Sequence, residues 1–174
     1  MPSSEGKTIN NPLPPSNKSE FINQFEYTGA LDNSPFLCLP DCFQFIEAEC
    51  GGQYEYRAYC QTLAREGGAI VAKLLGTEVM DNEEGTLSRC FFTNVRLPLH
   101  AERYMPAEKN QVTQWITEKL VFDHHTFVVV FFHADAWWVR LSAQVYLEVD
   151  DFRWVAQIID RLCGQVRDGN FLEA

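Results

Sequence analysis

The sequence is short of positive charge, of long apolar runs and of any complete catalytic signature. Lysine and arginine total 14 against 24 aspartates and glutamates, a net charge of −10. Nucleic acids and anionic membranes attract clustered cations, so neither is an expected partner. The longest apolar stretch, Phe127 to Phe132, falls far below the roughly 20 residues a membrane helix needs. Met1-Pro2-Ser3-Ser4-Glu5-Gly6-Lys7 lacks the hydrophobic segment of a secretory signal. A soluble, cytoplasmic protein is expected.

Motif signals are equally sparse. The six cysteines include no CxxC pair and are too few for a disulfide scaffold, which reads as reduced thiols, several in the core. Cys38 and Cys42, four apart with nothing cationic beside them, are expected to be buried and inert. Nucleophile elbow, phosphate-binding loop and GxGxxG fingerprint are all missing. Asp123, His124, His125, His133 and Asp135 form the one histidine-rich stretch. Adjacent histidines on an extended segment point apart. No metal site is expected there, only polar residues closing turns.

What is present is a core. Apolar residues make up 46% and aromatics 13% of the 174 residues, enough for one domain with an extended arm. Residues 1–20, rich in Pro, Ser and Asn, read as a flexible arm. Asn33-Ser34-Pro35 marks a turn, and Pro40 opens a helix leading into Phe43, Phe45 and Ile46. Tyr56, Cys60, Leu63, Gly67, Ile70, Val71 and Leu74 recur at helical spacing. Gly76 suits a left-handed cap, and Gly67-Gly68 inside the helix implies close backbone packing.

Cys90 to Leu97 reads as a strand ended by Pro98, and Ala107 to about Val121 as a helix. Thr126 to Phe132, continuously apolar after its first residue, predicts a strand buried on both faces. After a turn at His133-Ala134-Asp135, the next strand alternates. Val139, Leu141, Ala143 and Val145 point one way; Arg140, Ser142, Gln144 and Tyr146 point the other. A last helix begins near Asp150-Asp151 and buries Phe152, Val155, Ala156, Ile159, Leu162, Cys163 and Val166. The order is helix, strand, helix, strand, strand, helix. That predicts an α+β fold, an antiparallel sheet with helices packed on one face.

Arg140 is the residue with most chemical promise. A guanidinium held in mid-strand offers a planar fork to a carboxylate. Spacing alone also allows a solvated arginine on an open face. Tyr27-Thr28-Gly29-Ala30 with Asp32 and Ser34 is a tight small-residue segment that could turn backbone N–H groups toward an anion.

Several blocks in order carry a family resemblance. They are Ile9-Asn10-Asn11-Pro12-Leu13-Pro14-Pro15, Phe25-Glu26-Tyr27-Thr28-Gly29 with Asp32-Asn33-Ser34-Pro35, and Leu63-Ala64-Arg65-Glu66-Gly67-Gly68. Leu75-Gly76-Thr77-Glu78-Val79-Met80-Asp81-Asn82 and Cys90-Phe91-Phe92-Thr93-Asn94-Val95-Arg96-Leu97-Pro98-Leu99 follow. The last is Val139-Arg140-Leu141-Ser142-Ala143-Gln144-Val145-Tyr146 with Asp150-Asp151-Phe152. Together they resemble the fungal branch of the class V aminotransferase superfamily, fold-type I enzymes dependent on pyridoxal 5'-phosphate. That branch includes isopenicillin N epimerase-like and cysteine desulfurase-like proteins and the C–S lyases of ergothioneine synthesis.

The resemblance implies a small C-terminal domain at residues 51–174, with residues 21–50 connecting it to a large cofactor domain absent from this chain. It implies that Arg140 grips the α-carboxylate of a small amino-acid substrate. It implies that Thr28, Gly29 and Ala30 form the turn that reaches the cofactor phosphate, commonly across a dimer interface. Ala30 stands where the family usually has a threonine, so only the backbone N–H groups of Gly29 and Ala30 would serve.

The Schiff-base lysine, the aspartate on the pyridine nitrogen and the ring-stacking group belong to the large domain. Lys7, Lys18, Lys73, Lys109 and Lys119 match no such lysine motif, so this chain alone is not expected to bind the cofactor covalently or to catalyse. Three expectations follow: a partial lyase, desulfurase or epimerase completed by a large domain; a non-catalytic module or split subunit docking on a full-length homologue; or a stand-alone amino-acid binder using Arg140.

Overall fold

The computed structural model describes residues 17–19, 21–22 and 34–172. The chain divides into two compact units, residues 1–45 and 46–174. The first holds α1 (Ser34–Leu37) and the start of α2 (Leu39–Glu49). Ser34 and Pro35 are therefore helical, and Pro40 is the second residue of α2, where a missing N–H costs no hydrogen bond. No residue of α2 is fully buried, and Phe36, Leu37, Leu39, Phe43 and Phe45 are exposed. Cys38 and Cys42 are exposed as well, contrary to the expectation of burial.

The second unit follows the predicted element order. It runs α3 (Gln53–Leu75), β1 (Phe92–Arg96), α4 (Pro106–Phe122), β2 (Val129–His133), β3 (Ala136–Ser142) and α5 (Val149–Arg167), with short 3-10 turns at Ala101–Arg103 and Asn170–Leu172. The sheet is antiparallel with β3 central, in the order β1-β3-β2. α3 lies against β1 and α5, and α4 against β2. The architecture is α+β, with the helices on one face of the sheet.

Alternation decides which side chains meet the helices. Thr93, Val95, Val130, Trp137, Val139 and Leu141 are buried. Trp137 is the largest of them; its indole N–H donates to Thr113 Oγ1 at 3.0 Å, and its ring meets Tyr104 and Phe132 edge-on. α5 buries every residue expected of it and Ile158 besides. Its N-terminus is closed by a reciprocal box in which Glu148 N–H donates to Asp151 Oδ2 at 2.7 Å.

The buried stripe of α3 differs from the sequence reading. Cys60, Leu63, Ala64, Gly67, Gly68, Val71, Ala72 and Leu75 are buried, whereas Leu74 is exposed and Tyr56 and Ile70 are half-buried. The inner face is drawn in small residues, which carry little hydrophobic signal. A Cβ at Gly67 would sit 2.3 Å from the Phe152 ring, and one at Gly68 would sit 2.5 Å from Thr93 Oγ1. The double glycine thus lets the helix backbone approach α5 and β1. Gly76 takes the left-handed cap position at φ 66°.

β2 is an edge strand, and its burial pattern shows that it is not buried on both faces. Val129 and Phe131 are half-buried and Phe127, just before it, is exposed. The apolar run is continuous, yet only β3 borders it within the sheet. β3 itself ends at Ser142, after which Ala143 N–H bonds to Phe91 O and a turn closes from Gln144 to Leu147. Among the described residues, no helix is long and apolar enough to cross a membrane.

Candidate functional site

Arg140 lies on the central strand, on the face turned away from the helices. Its register partners are Asn94 on β1 and Val129 on β2. Directly paired residues share a face, with Cβ atoms about 4.5–5.5 Å apart. Trp137 turns into the core, whereas Trp138 shares the face of Arg140 and donates its indole N–H to His133 O at 3.0 Å. The Arg140 guanidinium is exposed and stacks over Phe92, 5.6 Å from the ring centroid. It has no ion pair or hydrogen bond among the described residues.

Beside it opens a pocket of about 450 Å³. Thr126 to Val129 form one wall, Arg140, Ser142, Gln144 and Tyr146 another, and Asp151, Phe152 and Trp154 on the first turns of α5 a third. Phe127, Tyr146 and Trp154 are substantially exposed. The acidic member, Asp151, is occupied by the helix cap. Arg140 is therefore the uncommitted charge of the pocket, which favours an anionic group with an apolar body.

Two clefts of comparable size lack that property. In one, lined by Glu66, Glu148 and Asp150, Arg153 is paired with Asp150. In the other, lined by Thr77, Glu78 and His100, Arg96 is paired with Glu78 at 3.0 Å. An arginine already holding a carboxylate offers little to another.

The remaining expected positions are placed as follows. Thr28, Gly29 and Ala30 lie outside the described residues. The Arg140 pocket lining contains no lysine. Lys109 pairs with Asp135 and covers the Phe132 ring, and Lys119 pairs with Asp123 one helical turn on. The residues described do not fit a covalent cofactor site. Among the described residues, no three His, Cys, Asp or Glu side chains converge as metal ligands. Sequence reasoning missed Asn94, Phe127 and Trp154 as neighbours of Arg140, since strand register and the approach of α5 are not written in local pattern.

No family model matches the chain. It is similar to two L-cysteine desulfhydrase-like proteins of Epichloe uncinata. It is 33% identical to lolT2 over 170 residues, covering 85% of this chain and 36% of that protein. The other, lolT1, is 30% identical over 167 residues, with 85% and 37% covered. The hercynylcysteine sulfoxide lyase of Schizosaccharomyces pombe is 27% identical over 145 residues, covering 83% of this chain and 32% of its own length. The chain spans about a third of the length of the curated relatives it matches.

Proposed function

We propose that this chain is the small C-terminal domain of a pyridoxal-phosphate-dependent C–S lyase of the class V aminotransferase superfamily, and that Arg140 holds the α-carboxylate of its amino-acid substrate. The observation that carries the reading is a guanidinium on the central strand, with no ion pair or hydrogen bond among the described residues, lining a pocket of about 450 Å³. The similarity to cysteine desulfhydrase-like and sulfoxide lyase proteins supports it. The chain's own part is binding and orientation. Arg140 fixes the carboxylate in a plane, and Phe127, Tyr146 and Trp154 offer apolar contact to the rest of the ligand.

In this reading the cofactor lysine and phosphate-binding groups come from a large domain corresponding to the unmatched part of the relatives, and Thr28 to Ala30 add a backbone contact to the phosphate. Six unpaired thiols fit a cytosolic setting.

The test is absorption of the purified chain with added pyridoxal phosphate, then borohydride reduction and intact mass. The expected result is no stoichiometric adduct from this chain alone, and carboxylate binding that is lost in Arg140→Ala. A single adduct at one defined lysine would overturn the division of labour proposed here.

A second reading, a module docking on a full-length homologue, draws on the exposed aromatics around the pocket, because apolar patches mark interaction surfaces. Size-exclusion co-elution with a full-length desulfhydrase-like relative supports it; separate elution at micromolar concentration counts against it.

A further inference from the structure

The sheet face that carries Arg140 also holds an unsatisfied acceptor. Asn94 Oδ1 is fully buried and has no hydrogen-bond partner. The amide nitrogen of the same side chain has only a long contact, 3.8 Å to Met80 Sδ. A buried carbonyl oxygen left unpaired is costly, and such atoms are few in folded proteins.

Two arginines share this face with Asn94, Arg96 and Arg140. Arg96, two residues along β1, is held by Glu78 at 3.0 Å. Arg140 is the direct cross-strand partner of Asn94, and its five N–H donors have no polar partner among the described residues. An orphaned acceptor and an uncommitted donor therefore occupy paired positions on one face of two adjacent strands. The guanidinium rests on Phe92, and directly paired positions on one face have Cβ atoms about 4.5–5.5 Å apart, within the length of an arginine side chain.

We infer that Asn94 is a positioning residue for Arg140. Its Oδ1 accepts one guanidinium N–H while the outer edge of the fork grips a carboxylate. The contact fixes the plane of the guanidinium, which by itself rotates about its long stem. The role rests on the reading of Arg140 as the carboxylate site.

The test uses the full chain, labelled with nitrogen-15, and L-alanine as a carboxylate probe that carries no leaving group. The Arg140 Nε–H resonance, assigned by its loss in Arg140→Lys, is followed through a titration. In the wild type it is expected to move with the probe. Asn94→Ala is expected to weaken the probe roughly tenfold, as loss of a charged hydrogen bond does, and to return the resonance toward that of a freely exchanging arginine. Asn94→Asp places a carboxylate opposite Arg140; it should shift the resonance before any probe is added and abolish the response.

A merely structural role for Asn94 would change the unfolding midpoint and leave the Arg140 titration on the wild-type curve. That outcome overturns the role of Asn94 alone. No probe-induced movement in the wild type overturns the carboxylate reading of Arg140, and the positioning role with it.

Discussion

One substitution separates close helix packing from ordinary helix propensity. Gly67 and Gly164 both lie inside helices, in α3 and α5. In an open helix, replacing glycine by alanine stabilises by about 1 kcal/mol. At Gly164 the new methyl would meet only an Arg167 guanidinium nitrogen at 3.7 Å, an ordinary contact. Gly164→Ala should therefore raise stability by up to about 1 kcal/mol. At Gly67 three atoms of the Phe152 ring lie 2.3–2.6 Å from the same methyl.

Relieving that overlap means moving α3 or turning a buried ring, and overpacking of this kind costs about 1–3 kcal/mol. The upper end applies here because Phe152 is only 3% exposed and has little room to move. After the propensity gain, a net loss of about 2 kcal/mol remains. For a chain of this size that lowers the melting temperature by about 4–8 °C. Urea denaturation of both variants, together with Gly67→Ala in a Phe152→Leu background, gives the comparison. The double variant should recover most of the loss. A Gly67→Ala protein as stable as Gly164→Ala would refute the close approach of α3 and α5.

Other consequences are equally direct. The β2–β3 hairpin turns on Ala134 and Asp135, both with positive φ (47° and 54°), a two-residue turn that favours Asn-Gly. The double substitution Ala134→Asn with Asp135→Gly should raise the urea midpoint; a fall would mean that the Lys109–Asp135 pair, with Asp135 exposed and Lys109 half-buried, contributes more than backbone strain. Burial pushes the Cys163 thiol up to about 12 from 9.0. Below pH 9 both states keep the proton, so stability is unaffected there. Between pH 9 and 12 the unfolded state loses it while the folded state does not, and stability should fall by up to about 1.4 kcal/mol per pH unit from this group. Desolvation also raises Cys60, Tyr56 and Tyr104, which act with the same sign. Replacing Cys163 with Ala should flatten the alkaline limb in a chemical-denaturation series, and an unchanged slope would count against its role.

Local pattern by itself determined the elements and most of the core. Helical spacing marked α5 because its inner face is made of large apolar residues, and period-two alternation placed Val139 and Leu141 inward and Arg140 outward. Pro98, Gly76 and the acidic start at Asp150-Asp151 marked where elements stop and begin, since backbone geometry and helix-end charge are properties of the residue in place. The ordered blocks further suggested a family and pointed to Arg140.

Only the tertiary structure decided what lies beside what. The inner stripe of α3 could not be read from hydrophobicity, because close packing there is achieved by Gly67, Gly68 and Ala72. The run from Thr126 to Phe132 looks like a central strand, yet it lies at an edge, because strand order is set by how the whole sheet assembles and not by any one segment. Likewise, nothing local to β1 says that Asn94 stands opposite Arg140. That pairing joins residues 46 positions apart, and it is the docking of β1 on β3, driven by burial of the opposite face, that sets Asn94 opposite Arg140.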